Sequence, residues 1–364
     1  MNVSIEVEYW VIDRDGQLRP PGNLTEISDQ AVEEFVEPLL ELKTEACASI
    51  EELSRQFLEI LDTALTRADE LDRRLVPLGT PINCGEITRR TGERGRIQKQ
   101  VVGSDFAQAK YCAGTHIHVE KRNVTDQLNT LIALDPALAL VNSSPYVQGE
   151  RVANGARAYW YRKQVYEEYP KHGQLWAYVE NVGEWHRRLE HRYEEFEQAA
   201  IEAGVDRTAV EAHFSPDDVV WTPVRLREAM PTVEWRSPDA ALPSQLLALT
   251  AQLRTVMNDL HHANVQIEAE SGDEPGAVGS DEIMLPDFDT TCDLAGAAIH
   301  DGLENEAVAG YLDRMGFSVD NYHPISTRID GRQYVTRADA RDLRLEYANA
   351  LEADVDSMLG AIES

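Results

Sequence analysis

Charged side chains recur at a spacing of two along this chain. Glu6 and Glu8 stand in SIEVEYWVID, His116 and His118 in GTHIHVE, and Glu234 and Arg236 in TVEWRSPD. The first two are embedded in apolar alternation: Ile5, Val7, Tyr9 and Val11, then Ile117 and Val119. Such alternation predicts a strand with one buried face, and a spacing of two puts both charged groups on the other face, about 7 Å apart. Two carboxylates that close raise each other's pKa and repel unless positive charge lies between them.

A lone ExE or HxH is ordinarily a wet sheet face, and ExR a cross-strand salt-bridge pattern. Here all three occur in one chain, and Glu41 lies on a fourth strand-like stretch, LLELKTEA. Neighbouring strands share one surface. That surface would carry four or five carboxylates, two imidazoles and an arginine, which is costly unless cations and an anionic ligand compensate it. Carboxylates with some imidazole suit Mg2+ or Mn2+. Two or three such ions bridging phosphates make a phosphoryl-transfer site. No GxxxxGK[ST], GxSxG or dinucleotide fingerprint occurs. If ATP binds, carboxylate-held metal must carry its phosphates.

The elements that would position these groups follow from periodicity. SIEELSRQFLEILDTALTRADELDRRL predicts an amphipathic helix, with Ser49 and Glu52 as a capping box and Leu53, Phe57, Ile60, Ala64 and Ala68 on one stripe. RLVPLGTPI predicts another strand. Helices are expected over 126–142, 183–203 with Gly204 as its stop, and SQLLALTAQLRTVMNDLHH; two more close the chain, the last with Leu343, Tyr347, Leu351 and Met358 on one stripe. Residues 84–110 and the acidic stretch 270–293 read as long loops and candidate lids. Strands scattered among long helices without a βαβ rhythm, and no linker or repeat, predict an α+β fold with an antiparallel sheet in one domain over 1–364.

The 364 residues are 43% hydrophobic and 27% charged, a globular balance. Acidic residues outnumber basic ones 64 to 34, for a formal charge of −30, and only six of the basic residues are lysines. Self-repulsion of that size is tolerable where salt screens it, which points to a halophile's cytoplasmic protein. The charge argues against binding nucleic acid or an anionic membrane. No apolar run spans a bilayer, since LIALDPALALV is short and broken by Asp135 and Pro136. A strand pattern starting almost at Met1 leaves no room for a signal peptide. Four cysteines without a CxxC pair read as buried or free thiols in a reducing compartment.

In order, IEVEYW, LELKTEAC, AGTHIHVE, VNSSPYVQGERVANGARAYW and PTVEWRSPDA resemble the motifs of the glutamate–cysteine ligase family of the plant, bacterial and haloarchaeal type. That family sits in the carboxylate–amine ligase superfamily with the glutamine synthetases. The likeness covers residues 4–240. It implies a glutamine synthetase-like catalytic sheet and an ATP-dependent joining of glutamate to an amine through an acyl phosphate, with cysteine the favoured acceptor. It also implies Mg2+ or Mn2+ on Glu6, Glu8, Glu41, His116 and Glu234, with His118 near the nucleotide phosphates. Arg236 would stand at the transferring phosphate and Arg157 near the amino-acid substrate. Thr44 matches a strand threonine without an assigned role. Glu120 replaces a usual glycine or serine, and the arginine-rich helix usual beyond the last strand is replaced by acidic LEYANALEADV. A homodimer is compatible with this reading. Two rivals remain: a ligase-like protein that binds metal and nucleotide without turnover, and a Zn2+ hydrolase built on His116 and His118.

Overall fold

The alternation around Glu6 and Glu8 forms the central strand of the largest sheet, β1 (Val3–Asp13). In the computed structural model, which describes residues 1–362 apart from 91, 104, 168, 228, 229 and 330, the strands that follow are β2 (Ala31–Glu33), β3 (Leu39–Lys43), β4 (Arg73–Val76), β5 (Thr115–Glu120), β6 (Tyr146–Val147), β7 (Glu150–Arg151), β8 (Val224–Arg227) and β9 (Thr232–Trp235). The main sheet runs β2-β3-β1-β5-β9-β8, with β4 also pairing with β1, and every pairing in it is antiparallel. The fold is therefore α+β with an antiparallel main sheet. β6 and β7 make a separate hairpin.

One face of the sheet is dry. Ile5, Val7, Tyr9, Val11, Ile117, Val119, Val233 and Trp235 are all buried in one apolar cluster, which includes Leu53, Phe57 and Leu61 of the helix Ile50–Glu70 and Leu246, Leu249 and Leu253 of the helix Pro243–Asp259. Burial of each such aliphatic side chain is worth about 1.5–3 kcal/mol, so the strand pattern and the helix stripes specify one another. Trp235 also donates its indole N–H to Asp135 at 3.1 Å, and Asp135 accepts from Arg162 at 2.8 Å. The charged face opposite is continued by Trp10 and Ile12, which are buried in a second cluster.

The helix Ile50–Glu70 begins at Ser49, whose hydroxyl accepts from Glu52 N at 3.1 Å, while Glu52 reaches back to Ala48 N at 2.9 Å. Ser49→Ala is expected to cost about 1 kcal/mol in urea unfolding, since one amide loses its cap. A helix from Val182 to Glu202 ends, as expected, just before Gly204, where φ is +84°. The final helix, Arg337–Ile362, packs on Ile50–Glu70, Pro243–Asp259 and β4, with Tyr347 and Leu351 buried.

Several expected elements differ. Residues 124–133 are α-helical, but Asp135–Val141 tightens into a 3-10 helix after Pro136 enters the chain. The stretch 84–110 is not a plain loop: it holds the helix Glu93–Val102 and most of a 3-10 helix, Asp105–Tyr111, while Thr91 and Ser104 fall outside the described residues. Nor is 270–293 a loop. It contains β11 (Ala277–Val278), β12 (Glu282–Leu285) and the start of the helix Phe288–His300, and it builds a small sheet with β10 (Asn264–Ile267). More than two helices close the chain, because Glu306–Arg314 and Ile325–Ile329 precede the last one. Among the described residues no helix is long and apolar enough to cross a membrane.

Candidate functional site

The strand registers bring most of the singled-out residues onto one surface. Glu6 stands between Lys43 of β3 and His116 of β5, Glu8 lies opposite Glu41, and His118 lies opposite Glu234 of β9. Because all seven positions of the three dipeptide motifs and Glu41 share a pleat direction, antiparallel pairing makes them neighbours without any long-range loop. His116 Nδ1 is 3.2 Å from Glu6 Oε2 and 3.5 Å from Glu234 Oε1. His118 Nδ1 meets Thr232 Oγ1 at 3.2 Å. A cavity of about 280 Å³ opens over this surface, with Glu6, Glu8, Glu41 and Arg236 on its wall.

The acidic end of the cavity holds a carboxyl that its sequence does not advertise. Glu34 follows β2 and joins Glu8 and Glu41 in a group whose oxygens lie within 4.8 Å of one another. Burial, reinforced by the neighbouring carboxyl in each case, pushes Glu8 and Glu34 up to about 7 and Glu41 up to about 8. Glu8 has one compensating bond, from Gly114 N at 2.6 Å. A Cβ at Gly114 would meet the Arg157 guanidinium, so any larger residue there would have to displace it. Two further groups converge in the same way: Glu6 with Glu41 and His116, and Glu6 with His118 and Glu234.

The opposite end is basic. Arg236 Nη1 pairs with Glu234 Oε1 at 2.5 Å, Arg227 Nη1 lies 3.4 Å and Arg225 Nε 3.8 Å from Glu234 Oε2. Three guanidiniums thus surround one buried carboxylate. Burial and then the charge of Arg236 push Arg225 down to about 10, so its surroundings are already crowded with positive charge. Arg94, which pairs with Asp218 at 2.9 Å, also lines the cavity. The Arg236 guanidinium sits 5.5 Å over the ring of Trp221.

Arg157, His118, Glu120 and Thr44 are each held by partners close by. Arg157 lines the cavity, but its Nη1 is occupied by the carbonyls of Arg236, Ser237 and Pro238 at 3.2, 3.1 and 3.3 Å. It braces the exit of β9. His118 is fully buried beneath the charged layer and is not on the cavity wall. Glu120 turns away to Asn2 N and Arg122 at 2.9 and 3.2 Å, so it fastens the start of β1. Thr44 does likewise, accepting from Ile5 N at 2.9 Å. Of the two stretches read as lids, 84–110 contributes Arg94 and Ala109 to the cavity, and no described residue of 270–293 lines it.

These residues fit divalent cations. Glu8, Glu34 and Glu41 are pressed together, with Lys43 beside Glu41 at 2.5 Å the ammonium that offsets their charge. His118 Nε2 is buried without a hydrogen-bond partner, 3.6 Å from Glu6 Oε2, which is beyond bonding distance. Burial, and then Arg236, push His116 down to about 4, so its imidazole is neutral and suited to metal ligation. Of the expected ligands, Glu234 alone is already neutralised by arginines.

A family model described as glutamate-cysteine ligase family 2 (GCS2) matches residues 6–272. Among solved structures, a bifunctional glutathione synthetase from Pasteurella multocida superposes with a TM-score of 0.57 at 14% identity, over 97% of this chain and 52% of that one. This chain therefore spans about half the length of that enzyme, and the likeness shows a shared fold. A glutamate–cysteine ligase from Francisella tularensis, in complex with AMP, gives a TM-score of 0.47 at 11% identity over 98% of this chain and 94% of that one. A search of curated proteins by sequence found no match.

Proposed function

The chain belongs to glutamate–cysteine ligase family 2, a family of ATP-dependent carboxylate–amine ligases, and from that membership we propose that it forms a γ-glutamyl amide from glutamate and an amine, with cysteine the first acceptor to test. One observation carries the reading. Across a single cavity, three crowded carboxyls share one ammonium, Lys43, and three guanidiniums share one carboxylate, Glu234, so one end is short of positive charge and the other of negative charge. A metal-bound polyphosphate supplies both.

In this reading the arginine end receives the ATP phosphates and the acidic end faces the glutamate side chain. The γ-carboxylate oxygen attacks the γ-phosphorus, the bond to the β-phosphate oxygen breaks, and ADP leaves an acyl phosphate. The amine then attacks the acyl carbon, phosphate departs, the amine loses a proton, and an amide remains. Divalent cations held by Glu6, Glu8, Glu34, Glu41 and His116, with Glu234 and His118 behind them, would neutralise phosphate charge that otherwise repels the incoming carboxylate. Arg236, with Arg225 and Arg227 behind it, holds fixed positive charge where negative charge develops. Arg157 keeps Ser237 and the end of β9 in place. The helix Glu93–Val102 brings Arg94 to the cavity wall, where excluding water would protect an acyl phosphate.

The formal charge of −30 makes this a protein to assay in molar salt, as the halophile reading requires. Cys47, Cys84 and Cys112 are buried free thiols and Cys292 is exposed, in keeping with a reducing cytoplasm. We treat residues 1–364 as one catalytic domain, since the last helix packs on the first long one. The test is phosphate release from Mg·ATP in high salt, with glutamate alone, then with cysteine and a panel of amines. Release that requires glutamate and one amine is the expected result, and that amine is the acceptor. No release with any pair, from folded and metal-loaded protein, sinks the ligase reading in favour of a binding protein.

A further inference from the structure

Lys43 lies on the charged face and has no part in the ligase chemistry proposed above. It stands two positions after Glu41 on β3 and opposite Glu6 of β1, so it projects onto the carboxylate face. Its Nζ lies 2.5 Å from Glu41 Oε1 and 3.5 Å from Glu6 Oε1. One ammonium is thus divided between two carboxylates, closer to Glu41.

Glu6 and Glu41, with His116, form one of the three converging groups that fit a divalent cation. The ammonium therefore rests on the same oxygens that such an ion needs. Its side chain is 37% exposed, which leaves the flexible stem a way out into the cavity. Among the described residues, Glu8 and Glu34 have no ammonium or guanidinium within ion-pair distance, so the lysine distinguishes one part of the acidic surface from the other. A lysine suits this position as an arginine does not. Its charge is a compact, readily hydrated point on a flexible chain, whereas a guanidinium would clamp both carboxylates in its planar fork.

We propose that Lys43 is a built-in competitor of the divalent cation between Glu6 and Glu41. It holds the two carboxylates together while no ion is bound and withdraws when one enters, so it sets the metal affinity of that position. The proposal rests on the metal reading of the site given above.

The test is a Mn2+ titration of nucleotide-free protein, followed by electron paramagnetic resonance of free Mn2+, alongside thermal melting in EDTA. Lys43→Met is expected to bind Mn2+ at this position about tenfold more tightly, because a like charge beside the ion is gone. It should also melt a few degrees lower in EDTA and recover when Mn2+ is added. Lys43→Arg keeps a charge on the carboxylates and covers the case in which the methionine variant does not fold. It should melt like wild type in EDTA and bind Mn2+ more weakly. Wild type and variants that bind Mn2+ with the same isotherm overturn the proposal and leave the metal reading standing. Wild type and variants that all fail to bind Mn2+ overturn both.

Discussion

In EDTA, Glu8→Gln is expected to melt about 2 °C higher than wild type, and in the presence of Mg·ATP to turn over at least 10²-fold more slowly, by the scale of losing one group that stabilises developing charge. The substitution keeps the shape and an acceptor for Gly114 N, which now donates to Glu8 Oε2 at 2.6 Å. It removes one of three carboxyls that share a buried space with Glu34 and Glu41. Without a cation that crowding destabilises the fold, and the same crowding is what a divalent ion would relieve.

The sign can be read in the pH dependence. In the metal-free protein burial and mutual repulsion hold the three carboxyls at about 7, 7 and 8, above the usual carboxylate value near about 4.3. Groups raised on folding favour the native state when protonated, so metal-free stability should fall as pH rises from about 5 through 8. Glu8→Gln should flatten that fall, and at pH 5 its advantage should vanish. Calorimetry in EDTA at pH 5 and pH 8, with phosphate release measured in parallel, checks both limbs. A variant that melts lower at pH 8, or that keeps its turnover, would show that Glu8 is an ordinary structural acid.

What the sequence makes legible is whatever has period two on a long strand. Glu6, Glu8, His116, His118 and Glu234 could be placed on one face because each lies in an alternation whose apolar half is buried. Their neighbours then follow from strand pairing. Glu34 has no such signature: it is the second of two adjacent glutamates, just beyond a three-residue strand, and the β2–β3 hairpin delivers it to Glu41. Arg225 and Arg227 did carry a signal, since Val224 and Leu226 alternate with them and are buried. Four residues are too few for that pattern to stand out beside the longer strands. The strands within 270–293 are two and four residues long, and tertiary pairing rather than local preference makes them. The carbonyl contacts of Arg157 were out of reach for a different reason. Its partners are main-chain carbonyls nearly eighty residues away, and carbonyls leave no mark on composition.

Replacing Arg236 by methionine is expected to lower kcat by 10³-fold or more, on the scale of about 10³–10⁵ for arginines that stabilise phosphoryl transfer, with little loss of fold. The two effects separate because Glu234 does not depend on Arg236 alone. Arg227 and Arg225 remain at 3.4 and 3.8 Å from its other oxygen, so the buried carboxylate is not left without compensation, which is the usual cause of collapse when one partner of a buried pair is removed. The backbone of Arg236 stays tied to Pro223 O at 2.8 Å, and Trp235 beside it stays in the core. Lysine at this position should not restore the rate, since a point charge cannot pair with Glu234 and face a phosphate at once as a planar fork does. Steady-state kinetics should place the loss in kcat rather than in KM for ATP, because Arg225 and Arg227 still attract the phosphates of the bound nucleotide. Arg225→Met, by the same logic, should raise KM for ATP more than it lowers kcat. If the Arg236 methionine variant keeps more than a tenth of wild-type kcat and instead melts far lower, then Arg236 serves only as the counter-ion of Glu234. The positive charge at the transition state would then have to come from Arg225 or Arg227.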